Sequence, residues 1–278
     1  MKSMKRSKIV GALLLVLGMV LVLSGCGRHK PDAEQVNAEI AERLDLSEEQ
    51  ATRVQPVTAD LYGERGTLLK LRREVYDEVL AQLKSETANT QVLESVLKAS
   101  WSEVGAHIPK VTNAFVKYHA VMDSEKRAKF AEKMEKRRKK MKEGRHRFWS
   151  FSDEGPTAED INGKMADHLD LTPEQEKRML PVTEKLFSER DAIKHARLKI
   201  YDEVLAQLKN DTTDTTQLES VLHTTWTTVN QRIPMAAKAI ASVHAILTAE
   251  QRAELSEKLE RRQQRRKNRR QHRWHDWH

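Results

Sequence analysis

The chain has 278 residues, of which 32% are charged and 5% are aromatic, and its formal net charge at pH 7 is +8. Its low aromatic content, ten glycines and seven prolines favour long amphipathic helices over a sheet protein. The single cysteine excludes an internal disulfide, and no glycine-rich phosphate loop or Ser/His/Asp arrangement points to an enzyme.

The first 26 residues have the order of a bacterial export signal. Four basic residues and no acid lie between Met1 and Lys8, and an apolar run follows from Ile9 to Leu23. The run is shorter than a typical spanning helix. It leads into Leu23-Ser24-Gly25-Cys26, which resembles the lipobox at which bacteria attach diacylglycerol to the cysteine. We therefore expect cleavage before a lipidated Cys26; the alternative is an uncleaved anchor helix with an incidental cysteine.

Lipidation of Cys26 bears on both location and chemistry. Gly27 follows where an aspartate would commonly mark retention in the inner membrane, so the lipobox resemblance implies an anchor on the periplasmic face of the outer membrane of a Gram-negative host. With its only thiol modified, the mature chain has none for redox chemistry or a thiolate metal site. Removal of the four basic residues lowers the net charge from +8 to +4.

The mature chain contains one sequence written twice, at an offset of 125 residues. YDEVLAQLK occurs at 76–84 and again at 201–209, and about 50 of about 115 aligned pairs are identical without a gap, which indicates a tandem duplication. We expect two domain-sized repeats at residues 27–145 and 157–270. A linker rich in Gly, Ser, Asp and Pro joins them at 146–156, and a His/Trp-rich tail follows at 271–278.

The apolar spacing within each repeat is helical. In the first repeat it runs from Leu93 to Met122 in steps of mostly three and four residues, which predicts one long amphipathic helix. A similar stripe precedes it, and a polar break at 85–90 turns the chain back into an antiparallel hairpin. Pro109 and its counterpart Pro234 are expected to bend the long helix. The predicted fold is all-α, with two tandem copies of a curved long-helix hairpin of about four helices each.

Short polar residues precede the predicted helices at corresponding places in both repeats. In three places a Ser or Thr is followed three residues later by Gln, which is the pattern of a reciprocal capping box. At the fourth place, Asp123 retains the cap but Lys126 replaces the Gln. Each complete box follows a leucine, and the resulting motif residues are Leu46, Ser47 and Gln50; Leu171, Thr172 and Gln175; and Leu247, Thr248 and Gln251.

These Leu-Thr-x-x-Gln sequences resemble the paired LTxxQ motif of the Spy/CpxP family of periplasmic chaperones and stress regulators, which includes metal-resistance and metal-sensing relatives. The resemblance covers residues 33–145 and 158–270. Known members of the family are mostly all-helical, cradle-shaped homodimers that hold unfolded clients without ATP. The resemblance therefore implies an all-helical protein with a client-holding function. Because one chain carries two repeats, both an intramolecular pseudo-dimer and a homodimer are compatible with the sequence. The resemblance also suggests a sensor kinase as a regulatory partner.

Histidines are the candidate metal ligands. His272, His275 and His278 lie within seven residues of one another at the end of the chain, where neutral imidazoles could bind Zn, Ni or Cu; the alternative is a membrane-facing tail. His119 and His244 occupy equivalent positions at the edge of the apolar stripes. Metal-sensing relatives carry histidine ligands on their hairpins, but neither residue has a second histidine one turn away, which favours packed histidines at the edge of the core.

Basic runs close both repeats at residues 137–142 and 261–270. The predicted export signal argues against nucleic acid, so the expected polyanions are anionic lipid, lipopolysaccharide phosphates or acidic client segments. Solvated helix ends are the alternative. Tyr76, Tyr201, Trp101 and Trp226 fall on or beside the stripes and favour core positions over client contacts.

The sequence thus predicts a membrane-anchored, ATP-independent chaperone or envelope-stress adaptor that requires no cofactor. It would hold clients on a face mixing apolar and basic groups. The alternatives are a periplasmic heavy-metal sensor or resistance protein, and a passive envelope tether.

Overall fold

The computed structural model of the protein describes residues 32–142 and 157–271. The predicted signal and lipidation site, the linker 146–156 and the tail histidines His272, His275 and His278 lie outside the described residues. Within those ranges the fold is all-α, as predicted, with ten helices and no strand. None of the described helices is both long enough and apolar enough to cross a membrane.

Each described repeat contributes five helices; the two sets correspond in order, and the first, second and fourth helices also correspond in length. Those of the first repeat are α1 (Ala33–Leu44), α2 (Glu48–Lys84), α3 (Thr90–Ala106), α4 (Ile108–Val121) and α5 (Ser124–Lys142). Those of the second are α6 (Ala158–Leu169), α7 (Pro173–Lys209), α8 (Thr215–Asn230), α9 (Ile233–Ile246) and α10 (Ala249–Gln271).

The prediction of a single bent helix through Pro109 and Pro234 is wrong. Instead, α3 ends at Ala106 and α4 begins at Ile108, so each proline lies in the first turn of a new helix. Proline has no N–H to donate to the preceding turn, but in the first turn that N–H has no partner in any case. The break explains why each repeat has five helices where about four were expected.

The short helices α1 and α6 end in the same way. Asp45 and Asp170 follow them in the left-handed conformation, with φ of 57° and 48°. The next residue then bonds back, as the Leu46 N–H does to the Ala41 carbonyl at 2.9 Å and the Leu171 N–H does to the Ala166 carbonyl at 3.1 Å. This turn places the motif leucine and its capping residue directly before the long helices α2 and α7.

The described chain forms two compact units that do not coincide with the two repeats. Unit 1 takes its described residues from Met1–Leu68, His107–Lys139 and Leu198–Leu222. Unit 2 takes its described residues from Leu69–Ala106, Lys140–Arg197 and His223–His278. The hairpin tip of each repeat is the turn that joins α2 to α3 or α7 to α8, with the adjoining helix ends. Each unit therefore contains most of one repeat together with the hairpin tip of the other. The two repeats are interlocked rather than folded separately.

The core of unit 1 includes a buried polar network among α1, α2 and α4. The Asn37 amide donates to the Ala51 carbonyl at 3.0 Å, the Thr58 hydroxyl donates to Asn37 Oδ1 at 2.7 Å, and the Tyr118 hydroxyl bonds to Thr58. Burial raises the pKa of Tyr118 to about 12, so the phenol remains a neutral donor near neutral pH. The network fixes α1 and α4 against α2.

The core of unit 2 includes a cluster where α6 and α7 of the second repeat meet α9 and α10. Leu169, Met179, Ile246 and Leu247 are buried together. Asn162 and Thr183 repeat the polar contact of unit 1, at 3.4 Å, while Val243 takes the place of Tyr118. The apolar cluster holds α6, α7, α9 and α10 together at the paired capping motifs.

Candidate functional site

The capping boxes predicted in the second repeat are present and bind each other. Thr172 and Gln175 exchange reciprocal bonds of 3.0 and 3.2 Å, and Thr248 and Gln251 exchange bonds of 2.9 and 3.2 Å. The two glutamine side chains then pair across helices, with amide-to-carbonyl distances of 2.7 and 3.0 Å. Each glutamine thus caps its own helix and bridges to the other.

The remaining bonds of this pair fasten backbone groups at helix ends. Gln175 Nε2 donates to the Ile246 carbonyl at 2.8 Å, and Gln251 Nε2 donates to the Leu169 carbonyl at 3.1 Å. Carbonyls at helix C-termini have no partner within the helix. The motif is therefore a structural fastener between the α6–α7 junction and the α9–α10 junction.

The first repeat retains half of this fastener. Ser47 and Gln50 form the box, and Gln50 Nε2 donates to the Val121 carbonyl. Lys126, which occupies the position of Gln251, instead binds Asp123 Oδ2 at 2.7 Å and lowers the pKa of that carboxyl group. The lysine has no carbonyl to offer to Gln50, so no amide pair forms here.

Replacing the paired glutamines is expected to have non-additive effects on stability. Gln175→Leu and Gln251→Leu should each lower the free energy of unfolding by about 1–3 kcal/mol, because each leaves helix-end carbonyls and a partner amide unsatisfied. The double variant should cost measurably less than the sum, since the second change removes a partner already lost. Urea unfolding of the four proteins measures this coupling.

The first repeat supplies the matched control. Gln50 and Lys126 occupy the equivalent positions but make no bond to each other in the described structure. The effects of Gln50→Leu and Lys126→Leu should therefore add. Additive effects of Gln175→Leu and Gln251→Leu on the free energy of unfolding would contradict the proposed coupling between the two glutamines.

The candidate metal ligands His119 and His244 bind the hairpin tip of the opposite repeat. His119 Nε2 lies 3.1 Å from the carbonyls of Gln207 and Asn210, and His244 Nε2 lies 3.0 Å from the carbonyl of Ser85. A carbonyl only accepts, so Nε2 carries the hydrogen in each case. Burial, and next the charge of Arg127, lower the pKa of His119, which favours the neutral ring.

The placement of both histidines supports a packing role. Among the described residues, no group of three or more His, Cys, Asp or Glu side chains is arranged to hold a metal ion. Each ring instead ties one repeat to the other through equivalent backbone positions, since Ser85 and Asn210 are 125 residues apart. Metal binding by His272, His275 and His278 stays a prediction, because the tail lies outside the described residues.

Two tryptophans make a reciprocal contact between the repeats in unit 2. Trp101 Nε1 donates to the Trp226 carbonyl at 3.0 Å, and Trp226 Nε1 donates to the Trp101 carbonyl at 2.8 Å. Gly105 makes this approach feasible, because a Cβ atom there would lie 2.5 Å from Trp226 Nε1. Tyr201 is buried, in agreement with the core position expected for it, whereas both tryptophans are only half-buried.

A groove of about 470 Å³ in unit 2 combines apolar and basic side chains. Leu97 and Trp101 of α3 and Met141 of α5, all from the first repeat, contribute to its lining together with helices of the second repeat. Many of its apolar side chains are half-buried, and Leu186 is 41% exposed. The full lining comprises Leu97, Trp101, Met141, Leu186, Glu189, Arg190, Ile193, Lys194, Arg197, Val229, Arg232, Ile233, Met235 and Ala236.

Sequence reasoning did not locate this groove. It predicted a mixed apolar and basic face but assigned basic character to the ends of the repeats, at 137–142 and 261–270. Three of the four basic residues of the groove, Arg190, Lys194 and Arg197, are spaced i, i+4 and i+7 on α7, which places them on one face. That spacing, with Leu186 and Ile193 between and beside the basic residues, is the sequence pattern that could have predicted the groove.

The fold and its paired capping boxes define the protein as an all-helical assembly of two interlocked repeats. A family model described as LTXXQ motif family protein matches residues 158–259. The second repeat is therefore similar to the LTXXQ motif family, which is of the Spy/CpxP type. No curated protein and no solved structure matches the chain. The family suggests a periplasmic chaperone or metal-resistance type of function, and its proteins are chaperone-like or regulatory rather than known enzymes.

Proposed function

We propose that the protein is a lipid-anchored, ATP-independent chaperone of the bacterial envelope. Cys26 would hold it at the periplasmic face of the outer membrane, and the groove of unit 2 would hold exposed segments of unfolded clients. No nucleotide or other cofactor is required, because binding and release follow from the affinity of the groove alone.

The observation that carries this proposal is the exposure of apolar side chains beside cations in one groove. Leu186 is 41% exposed, and Trp101 and Val229 are half-buried, so they retain apolar surface that an unfolded segment can cover. Covering such surface is favourable by about 25 cal/mol per Å². The neighbouring Arg190, Lys194 and Arg197 add long-range attraction for acidic segments, which raises the rate of encounter.

An aggregation assay tests the proposal with a matched pair of variants. The lipid-free mature chain should suppress aggregation of a reduced test protein at a near-equimolar ratio without ATP. Leu186→Glu should raise the concentration needed by about fivefold to tenfold, since a lost leucine contact of about 1–1.5 kcal/mol has that effect.

Val92 provides the control. It is 38% exposed, almost as much as Leu186, but it lies outside the groove on α3. Val92→Glu introduces the same charge and should leave suppression unchanged. Equal losses in both variants would remove the groove from the mechanism, and no suppression by the unmodified chain at any ratio would refute the chaperone proposal.

A further inference from the structure

The groove of unit 2 holds more positive than negative charge. Its lining includes Arg190, Lys194, Arg197 and Arg232 but only one acid, Glu189. That acid is already paired, with Arg232 Nε at 2.8 Å and Lys185 Nζ at 3.3 Å. Within residues 32–142 and 157–271, no carboxylate forms a salt bridge with Lys194 or Arg197. The groove therefore attracts an anion.

The remaining lining is apolar, and this restricts what the groove can enclose. The side chains around the cations are Leu, Ile, Val, Met, Ala and Trp, and the lining contains no Ser, Thr, Asn, Gln, Tyr or His. The indole N–H of Trp101 is occupied by the Trp226 carbonyl at 3.0 Å. A peptide backbone inside the groove would find few partners for its amides, and an unsatisfied buried amide is costly. An alkyl chain brings no such group.

We propose that the groove also binds a single-chain fatty carboxylate, with the alkyl chain against the apolar lining and the carboxylate at Lys194 and Arg197. Arginine pairs with a carboxylate through two parallel N–H groups, and lysine adds a point charge. A volume of about 470 Å³ lies in the range of sites for one small ligand. The inference rests on the groove used in the proposed function and adds a ligand class that competes with clients.

Both modes of occupation use the same surface in different ways. A client would insert side chains while its backbone stays in water, whereas the alkyl chain of the fatty carboxylate would lie along the groove. The carboxylate should therefore displace clients rather than bind beside them.

Calorimetry on the lipid-free mature chain tests the ligand class with three amphiphiles of equal chain length, each below its micellar concentration. Laurate is expected to bind one to one and at least about tenfold more tightly than dodecyltrimethylammonium or dodecyl maltoside, a difference of about 1.4 kcal/mol. Lys194→Gln with Arg197→Gln should weaken laurate binding by at least about tenfold and leave dodecyl maltoside binding unchanged.

Arg72→Gln with Arg73→Gln is the matched control, because both arginines are exposed on α2 outside the groove and the change in charge is the same. This variant should bind laurate as the unmodified chain does. Equal affinity for the three amphiphiles, or equal losses in both double variants, overturns the inference. If laurate does not bind while aggregation is still suppressed, the inference fails alone. If both are absent, the proposed function fails with it.

Discussion

The second repeat alone, residues 157–271, is expected to form a homodimer rather than a folded monomer. Unit 2 needs the segment Leu69–Ala106 of the first repeat, which brings Trp101 against Trp226 and the Ser85 carbonyl to His244. An isolated second repeat leaves those surfaces exposed, and a second copy can cover them with its own Asn210 and Trp226. This contact is expected to be weaker than the one with the first repeat, because Asn230 stands in the place of Gly105. Sedimentation velocity should give twice the mass of the fragment, with dissociation and unfolding coupled on dilution.

The first repeat provides the comparison. Mixed with the second repeat, the fragment 32–142 should reconstitute a heterodimer, because the fragments then supply the same contacts as the intact chain. A second repeat that is monomeric and unfolds cooperatively at a concentration-independent midpoint would show that the interlocking is dispensable.

Gly105→Ala is expected to destabilise the protein, although alanine is the better helix former. The new methyl group would lie 2.5 Å from Trp226 Nε1 and 2.8 Å from Cε2. The indole cannot move away freely, because Nε1 is bound to the Trp101 carbonyl at 2.8 Å. Overpacking of this kind costs about 1–3 kcal/mol and exceeds the gain of about 1 kcal/mol in helix propensity. Denaturant unfolding should show a lower midpoint.

Gly63→Ala is the control with the opposite sign. Gly63 also lies within a helix, but nothing approaches within 4 Å of its Cβ position, so alanine should stabilise the protein by about 0.5–1 kcal/mol. Trp226→Phe, which lacks the indole N–H, should reduce the cost of Gly105→Ala. A stabilising Gly105→Ala would rule out the close approach of the two repeats at this point.

The helices and their caps could be predicted because they depend on residues close in sequence. Spacings of three and four residues fixed the amphipathic stripes, and the three Ser/Thr-x-x-Gln boxes formed where expected. The same local reasoning placed Pro109 inside a continuous helix. That reasoning did not consider that a proline costs nothing in the first turn of a new helix, which is where Pro109 lies.

The interlocking of the repeats could not be predicted, because the two copies offer nearly identical surfaces. His119 binds the carbonyl of Asn210, whereas the equivalent residue of its own repeat is Ser85. Both acceptors are backbone groups, so side-chain identity carries no information about which tip is bound. The ion pairs Lys84–Glu260 and Lys209–Glu135 show the same ambiguity, since exchanging the repeats preserves both charges.

The groove was not predicted for a related reason. Its lining joins Leu97 and Trp101 of one repeat with residues of the other, so it depends on the pairing of repeats and not on any single stripe. The basic runs at 137–142 and 261–270 stood out in the sequence because they are contiguous. Arg190, Lys194 and Arg197 did not, because only a helix brings them onto one face.

Joining the repeats in one chain has consequences for how this protein assembles and changes. Assembly becomes intramolecular, so it no longer depends on the concentration of the protein, as the meeting of two separate copies would. In a dimer of identical subunits every substitution appears twice, whereas here one copy can vary alone. His107 and Lys110 of the first repeat correspond to Arg232 and Met235 of the second, and only the second pair lines the groove. The groove can thus change at positions of the second repeat without the same change at the equivalent positions of the first.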